Sequence, residues 1–183
     1  YCAGHLIEAA VAHFNATGRR NFLDCMCRYA DYIATVFGHD ANKTHGYPGH
    51  EELELALCKL AEATGERKYF ELAAYFVNER GQTPNYFIQE QPLMEERDLK
   101  NRQAHKPVRE QTDADGHAVR AVYLYSGMAD VAAEFKDAEL LRACENLWNS
   151  IINKRMYITG GIGSTPIGEA FTVDYHLPND SAY

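Results

Sequence analysis

The sequence places one carboxylate in a setting suited to chemistry. Arg155-Met156-Tyr157-Ile158-Thr159-Gly160-Gly161-Ile162-Gly163-Ser164 is followed closely by Gly168-Glu169-Ala170-Phe171. Three glycines within four residues free the backbone for turns that a side chain would resist, and Glu169 stands between small and aromatic neighbours. The stretch reads as a site loop, with an ordinary glycine-rich connector between helices as the plain alternative. A phosphate cradle fits less well. Gly161-Ile162-Gly163 lacks both the Lys of a P-loop and the third Gly of a dinucleotide fingerprint.

Histidines supply the second group. Gly4-His5, Gly49-His50 and Gly116-His117 each stand where the first helix of a hairpin should begin. Partial positive charge at a helix N-terminus disfavours imidazolium, so each ring is expected neutral, with one donor and one acceptor. Neutral rings facing a shared hollow suit a hydroxyl-rich ligand. A half-buried His making local hydrogen bonds is the plain alternative for each one alone. Metal-ligand spacing is scarce among these residues: only His45 and His50 approach it, across Gly46-Tyr47-Pro48-Gly49. Cys25 and Cys27, two apart on a helix, point to nearly opposite sides and cannot grip one ion. Cys2 with His5 has no third group to orient a nucleophile and base.

The elements that must position these groups are helices. Residues 5 to 17 are rich in helix formers and end at Gly18, and residues 21 to 37 carry apolar side chains three or four apart. The pair then recurs at 51 to 64 and 68 to 80. Ala-Thr-Gly-Glu-Arg-Lys-Tyr-Phe at 63 to 70 echoes Ala-Thr-Gly-Arg-Arg-Asn-Phe at 16 to 22, an offset of about 47 residues that suits helical pairs. A third pair is expected at 117 to 135 and 137 to 154. Three hairpins stacking into a curved array would bring the Gly-His starts to one end. Between the second and third, residues 82 to 112 form a connector far longer than packing requires, a loop expected to cover something. Pro178-Asn179-Asp180-Ser181 has the composition of a further helix cap, and Tyr183 would lie in its first turn.

Size and composition bound the rest. A chain of 183 residues with 46% apolar content and six prolines can bury a core. A net charge of -8 without a Lys/Arg run argues against nucleic acid and against an anionic membrane surface. No apolar run reaches the length of a membrane span, and five cysteines make no disulfide framework. A soluble, cytoplasmic, reduced protein is the simplest expectation. The start at Tyr1 suggests a piece of something longer, whose export the sequence leaves open.

Several long segments, in order, resemble the β-L-arabinofuranosidases of glycoside hydrolase family 127. They are His5-Leu6-Ile7-Glu8-Ala9-Ala10, His45-Gly46-Tyr47-Pro48-Gly49-His50-Glu51-Glu52, Ala104-His105-Lys106-Pro107-Val108, Gly116-His117-Ala118-Val119-Arg120-Ala121, and the Met156 to Ser164 run with Gly168-Glu169-Ala170-Phe171. The resemblance covers the whole chain. It implies an all-α fold in which residues 1–183 form about half the helices of an (α/α)6 barrel catalytic domain. It also implies a retaining glycosidase acting on an arabinose-containing oligosaccharide, with Glu169 as general acid/base. Sugar-binding roles fall on His5, His117 and one of His45 or His50, with His50 favoured by its helix-start setting.

In that family the nucleophile is a zinc-bound Cys. The resemblance puts the zinc ligands and this Cys beyond Tyr183, so no zinc is expected on this chain and the fragment alone is expected to be inactive. A Glu is needed beside such a nucleophile because a carboxyl raised in pKa by a partly apolar pocket protonates the leaving oxygen, then activates water as carboxylate. Asp174, in a more polar stretch with Tyr175 and His176, ranks behind Glu169 for this role. The competing reading is a helical-repeat module that binds a glycan or peptide without chemistry. Half a toroid would leave apolar helix faces uncovered, so self-association is expected.

Overall fold

The computed structural model describes residues 1–182, and the expected helical placement of Tyr183 lies outside them. Six long helices form three hairpins. The first is α1 (Cys2–Thr17) and α2 (Asn21–Val36), the second α3 (Glu52–Thr64) and α4 (Arg67–Glu79). The long connector contributes two short helices, α5 (Tyr86–Glu90) and α6 (Glu96–Asn101), and the third hairpin is α7 (Ala118–Phe135) and α8 (Ala138–Lys154). No strand forms among the described residues, only isolated bridges. The fold is all-α, as expected.

Local sequence explains where the helices stop and start. Gly18 and Gly65 take left-handed φ values of 69° and 74°, and each donates its N–H back to the last turn. Asp137 caps α8 by accepting a hydrogen bond from the Leu140 N–H at 2.9 Å.

The first helices of the hairpins form an inner row in which α3 packs against both α1 and α7, with α2, α4 and α8 each packed on its own partner. Ala56, Leu57, Leu60 and Ala61 of α3 are buried among Ile7, Ala10, Phe76, Leu124 and Met128. Each of the large residues among them contributes about 1.5–3 kcal/mol through burial. Helices α2, α4 and α8 confine their apolar residues to one side.

The connector covers the core rather than looping away. Phe87, Leu99, Ala104 and Val108 are buried, and of two buried glutamines Gln103 ties its end to the start of α7 while Gln111 braces the connector itself. Gln103 Nε2 donates to the carbonyls of Asp115 and His117 at 2.8 and 3.2 Å. Gln111 Nε2 donates to those of Gln103 and Lys106 at 2.8 and 3.0 Å. The Gln103 bonds fix the residue that caps α7, which is His117. At the far end, Asn179 and Asp180 lie in a turn and no helix begins among the described residues. Among the described residues, no helix is long and apolar enough to cross a membrane.

Candidate active site

The glycine-rich loop comes back onto the start of α7. Phe171 donates its N–H to the Gly116 carbonyl at 2.9 Å, and across the turn the Ser164 N–H donates to the Ala170 carbonyl while the Ala170 N–H donates to the Thr165 carbonyl. Gly116 has φ +75° and lies so close to α6 that a Cβ would stand 1.8 Å from the Lys100 carbonyl oxygen. Only glycine fits there. Asn101 holds the loop from its other side. Its Nδ2 donates to the Gly168 carbonyl at 3.0 Å and its Oδ1 accepts from Arg120 at 2.7 Å.

This stitching places Glu169, itself at a left-handed φ of 50°, with its Oε2 2.8 Å from His117 Nε2. Three residues into α7 the Arg120 N–H donates to His117 Nδ1 at 3.5 Å. With Nδ1 accepting, the proton belongs on Nε2, and His117 donates to the carboxylate. Burial lowers the pKa of His117, as does Arg120, against the opposing pull of Glu169. The Glu169 side chain is half-exposed, so the apolar enclosure expected around it is not supplied by these residues.

The other two histidines meet beside Tyr123 of α7. His5 and His50 have ring centroids 6.1 Å apart, and the edge of Tyr123 faces both, at 6.4 and 5.6 Å. Tyr1 stacks on His50 at 3.9 Å and accepts a hydrogen bond at its hydroxyl from Arg120 at 3.3 Å. Arg120 thus connects the two groups. His50 is buried, and burial brings its pKa down to about 4. Both of its ring nitrogens lack a hydrogen-bond partner. Glu52, also buried, approaches His5 Nδ1 at 2.7 Å and His50 Nε2 at 3.5 Å.

The three Gly-His starts are less alike than their sequences. His117 is the cap of α7, His50 precedes the first residue of α3 by two, and His5 lies one turn inside α1. His45 is exposed and pairs with His39, at 5.8 Å between ring centroids. Asp174 is engaged by Lys154 at 3.0 Å and Arg155 at 2.6 Å.

Sequence reasoning passed over Tyr1, Tyr123, Arg120 and the role of Glu52. The available signal was spacing: Arg120 and Tyr123 follow His117 by three and six residues, on one helical face.

A buried ion-pair cluster lies behind the His50 segment. Arg80, fully buried, approaches Glu54 at 3.0 Å and Glu51 at 3.4 Å, and donates to the carbonyls of Pro48 and Arg102 at 2.8 and 3.0 Å. Its guanidinium also lies 4.9 Å above the Tyr47 ring. The backbone between Tyr47 and His50 is thereby anchored from beneath. Burial pushes Glu51 up to about 8.

A thiolate zinc centre does not fit the described residues. Their only potential metal-holding trio, His5, His50 and Glu52, contains no Cys, and its Glu52 to His5 separation of 2.7 Å is that of a hydrogen bond. Burial raises the pKa values of the Cys58 and Cys144 thiols, the opposite of what a ligand needs.

Comparison with known proteins matches these features to one family. The profile of the β-L-arabinofuranosidase GH127 catalytic domain matches residues 1–183. A non-reducing end β-L-arabinofuranosidase of Bifidobacterium longum subsp. longum is 43% identical over 192 residues, covering 100% of this chain and 29% of that protein. The crystal structure of Ara127N-Se, a GH127 β-L-arabinofuranosidase from Geobacillus stearothermophilus T6, superposes with a TM-score of 0.96 at 55% identity, over 100% of this chain and 30% of that one. The GH127 β-arabinofuranosidase BT3674 gives 0.86 at 48% identity, over 99% and 27%. The chain therefore spans less than a third of the length of these relatives, and its hairpins are part of an (α/α) barrel. By the full-length match of its sequence and fold, this chain belongs to the β-L-arabinofuranosidases of glycoside hydrolase family 127.

Proposed function

We propose that the chain supplies the acid/base and part of the sugar-binding wall of a retaining glycosidase that releases terminal β-L-arabinofuranose from a glycan. The observation that carries this reading is the 2.8 Å contact between His117 Nε2 and Glu169 Oε2. One oxygen of Glu169 is held and the other is left to face a substrate. As the acid, Glu169 gives its proton to the glycosidic oxygen while the bond to the anomeric carbon breaks. As the carboxylate, it takes a proton from the water that later releases the sugar from the enzyme. The unpartnered nitrogens of buried His50 are groups that a sugar hydroxyl would satisfy.

The nucleophile of such a reaction is absent from this wall. The resemblance to the family assigns it to a zinc-bound Cys, and the cysteines described above do not answer to that role, so zinc and nucleophile are proposed for residues outside this chain. The cytoplasm as the site of action remains part of the same proposal.

The test is Glu169→Gln in the full-length protein, assayed on a nitrophenyl β-L-arabinofuranoside. Loss of turnover by a factor of about 100 or more, with sugar affinity and fold retained, is expected. Unchanged turnover would remove Glu169 from the acid/base role and leave the non-catalytic binding module as the better account.

A further inference from the structure

The two acids that meet between α1 and α3 are unequal. Glu8 is ion-paired with Lys59, while Glu52 has no lysine or arginine of its own and is only 1% exposed. The groups facing Glu52 are Glu8 and His5 from α1, His50 from the segment before α3, Lys59 through Glu8, and Tyr123 from α7. Gly4 leaves the room it needs, since a Cβ there would stand 3.0 Å from Glu52 Cγ. Of the two facing rings, His50 is neutral near pH 7, with a pKa near 4.

We propose that Glu52 is a protonated, neutral carboxylic acid that shares its proton with Glu8 and serves as the positioning residue for His5. The deduction rests on the proposed sugar-binding role of this wall and extends it to a named tautomer. The Glu52 hydroxyl donates to the Glu8 carboxylate, whose charge Lys59 balances. The remaining Glu52 oxygen, 2.7 Å from His5 Nδ1 and otherwise without a partner, is the acceptor this assigns to the Nδ1–H. His5 therefore presents an unprotonated Nε2 to the open side, an acceptor for a ligand hydroxyl that must donate.

Opposing terms decide the protonation state. The N-terminus of α3 favours an anion at Glu52 by about 0.3–1 kcal/mol. Burying an unpaired carboxylate costs several kcal/mol, and a second carboxylate within reach adds to it. The balance leaves Glu52 with a pKa of about 7, raised by burial first and by Glu8 second. Burial opposes ionisation of Glu8 as well, but the bond from Lys59 prevails and holds its pKa below the ordinary value.

Glutamine reproduces both bonds of a neutral acid, its amide donating to Glu8 and its oxygen accepting from His5. In the full-length protein, Glu52→Gln should keep KM for the nitrophenyl arabinofuranoside within about threefold of the parent, while Glu52→Leu raises it about tenfold or more with kcat nearly unchanged. Thermal unfolding of Glu52→Leu establishes that it is folded. Independently of turnover, nitrogen chemical shifts of the His5 ring should report the Nδ1–H tautomer in the parent and in Glu52→Gln, and a mixture in Glu52→Leu. Infrared spectra should lose one protonated-carboxyl band in Glu52→Gln. A Gln variant as damaged as the Leu variant, or a His5 ring protonated on both nitrogens, would overturn the proposal. So would tight binding of zinc alone that either substitution abolishes. Because the ring shifts need no substrate, they decide this point even where Glu169→Gln refutes the glycosidase reading.

Discussion

Replacing Arg80 by Met tests what holds the His50 segment in place. At effective dielectric 20, Coulomb's law gives roughly 5.5 kcal/mol for the 3.0 Å contact with Glu54 and roughly 4.9 for the 3.4 Å contact with Glu51, if both acids were ionised. They are not both ionised at neutral pH, because burial pushes Glu51 to about 8. One attraction remains, largely offset by the desolvation of the pair. Removing the cation leaves Glu54 buried and unpaired, at a cost of about 3–5 kcal/mol. The carbonyls of Pro48 and Arg102 also lose their donor.

The expected loss is thus at least about 3 kcal/mol, a large part of the 5–15 kcal/mol that stabilises a typical domain. Urea unfolding followed by far-ultraviolet circular dichroism measures it, since the single Trp148 is too exposed to report on the core. Two controls separate the acids. Glu51→Gln replaces a group that is already neutral at pH 6–7 and should cost less than about 1 kcal/mol, whereas Glu54→Gln should cost several times more. Because the folded-state pKa of Glu51 lies above its ordinary 4.5, its contribution is complete below pH 4.5 and is lost as pH rises through about 8. The parent should weaken across that window, and Glu51→Gln should weaken less. An Arg80→Met loss under about 1 kcal/mol, or equal costs for the two Gln variants, would refute the reasoning.

Glycine substitutions offer a contrast at two left-handed positions. Gly116→Ala should cost well over 2 kcal/mol in the same unfolding assay, because its Cβ meets backbone at 1.8 Å, while Gly160→Ala, with φ +91° and open space around it, should cost only about 1–2 kcal/mol. Self-association is expected through the groove of about 480 Å³ between α7 and α8, lined by Val122 and Ala129 of α7, Trp148 and Ile152 of α8, and Met156 just beyond it. Sedimentation of this chain should show mass rising with concentration, and Trp148→Lys should reduce it. A dilute, stable monomer at all concentrations would contradict that expectation.

Some features could be read one helix at a time, and others could not. The spacing of Leu23, Met26, Ala30 and Ile33 marks the buried side of α2 because helix period and burial coincide within one element, and the glycines at 18 and 65 mark ends because only backbone geometry is involved. The repeat between the first two hairpins was legible for the same reason. The site is a different kind of object. Gly116-His117 and Gly168-Glu169 announce themselves as motifs, yet their meeting depends on Phe171 bonding to Gly116 and on Asn101 reaching Gly168 from α6. No local rule fixes those pairings. Glu52 shows the limit most clearly. On sequence grounds an acidic residue in the first turn of a helix is a favourable surface charge. Its near-complete burial follows only once α1 presents Gly4 and Glu8 to the same point, so its chemistry is set by a neighbour forty-four residues away. The same holds for His5 and His50, which share a glycine before them but sit at different helical positions and become a pair through Glu52 and Tyr123. Groups of this sort acquire their protonation states from packing, and packing is what a linear reading has to infer last.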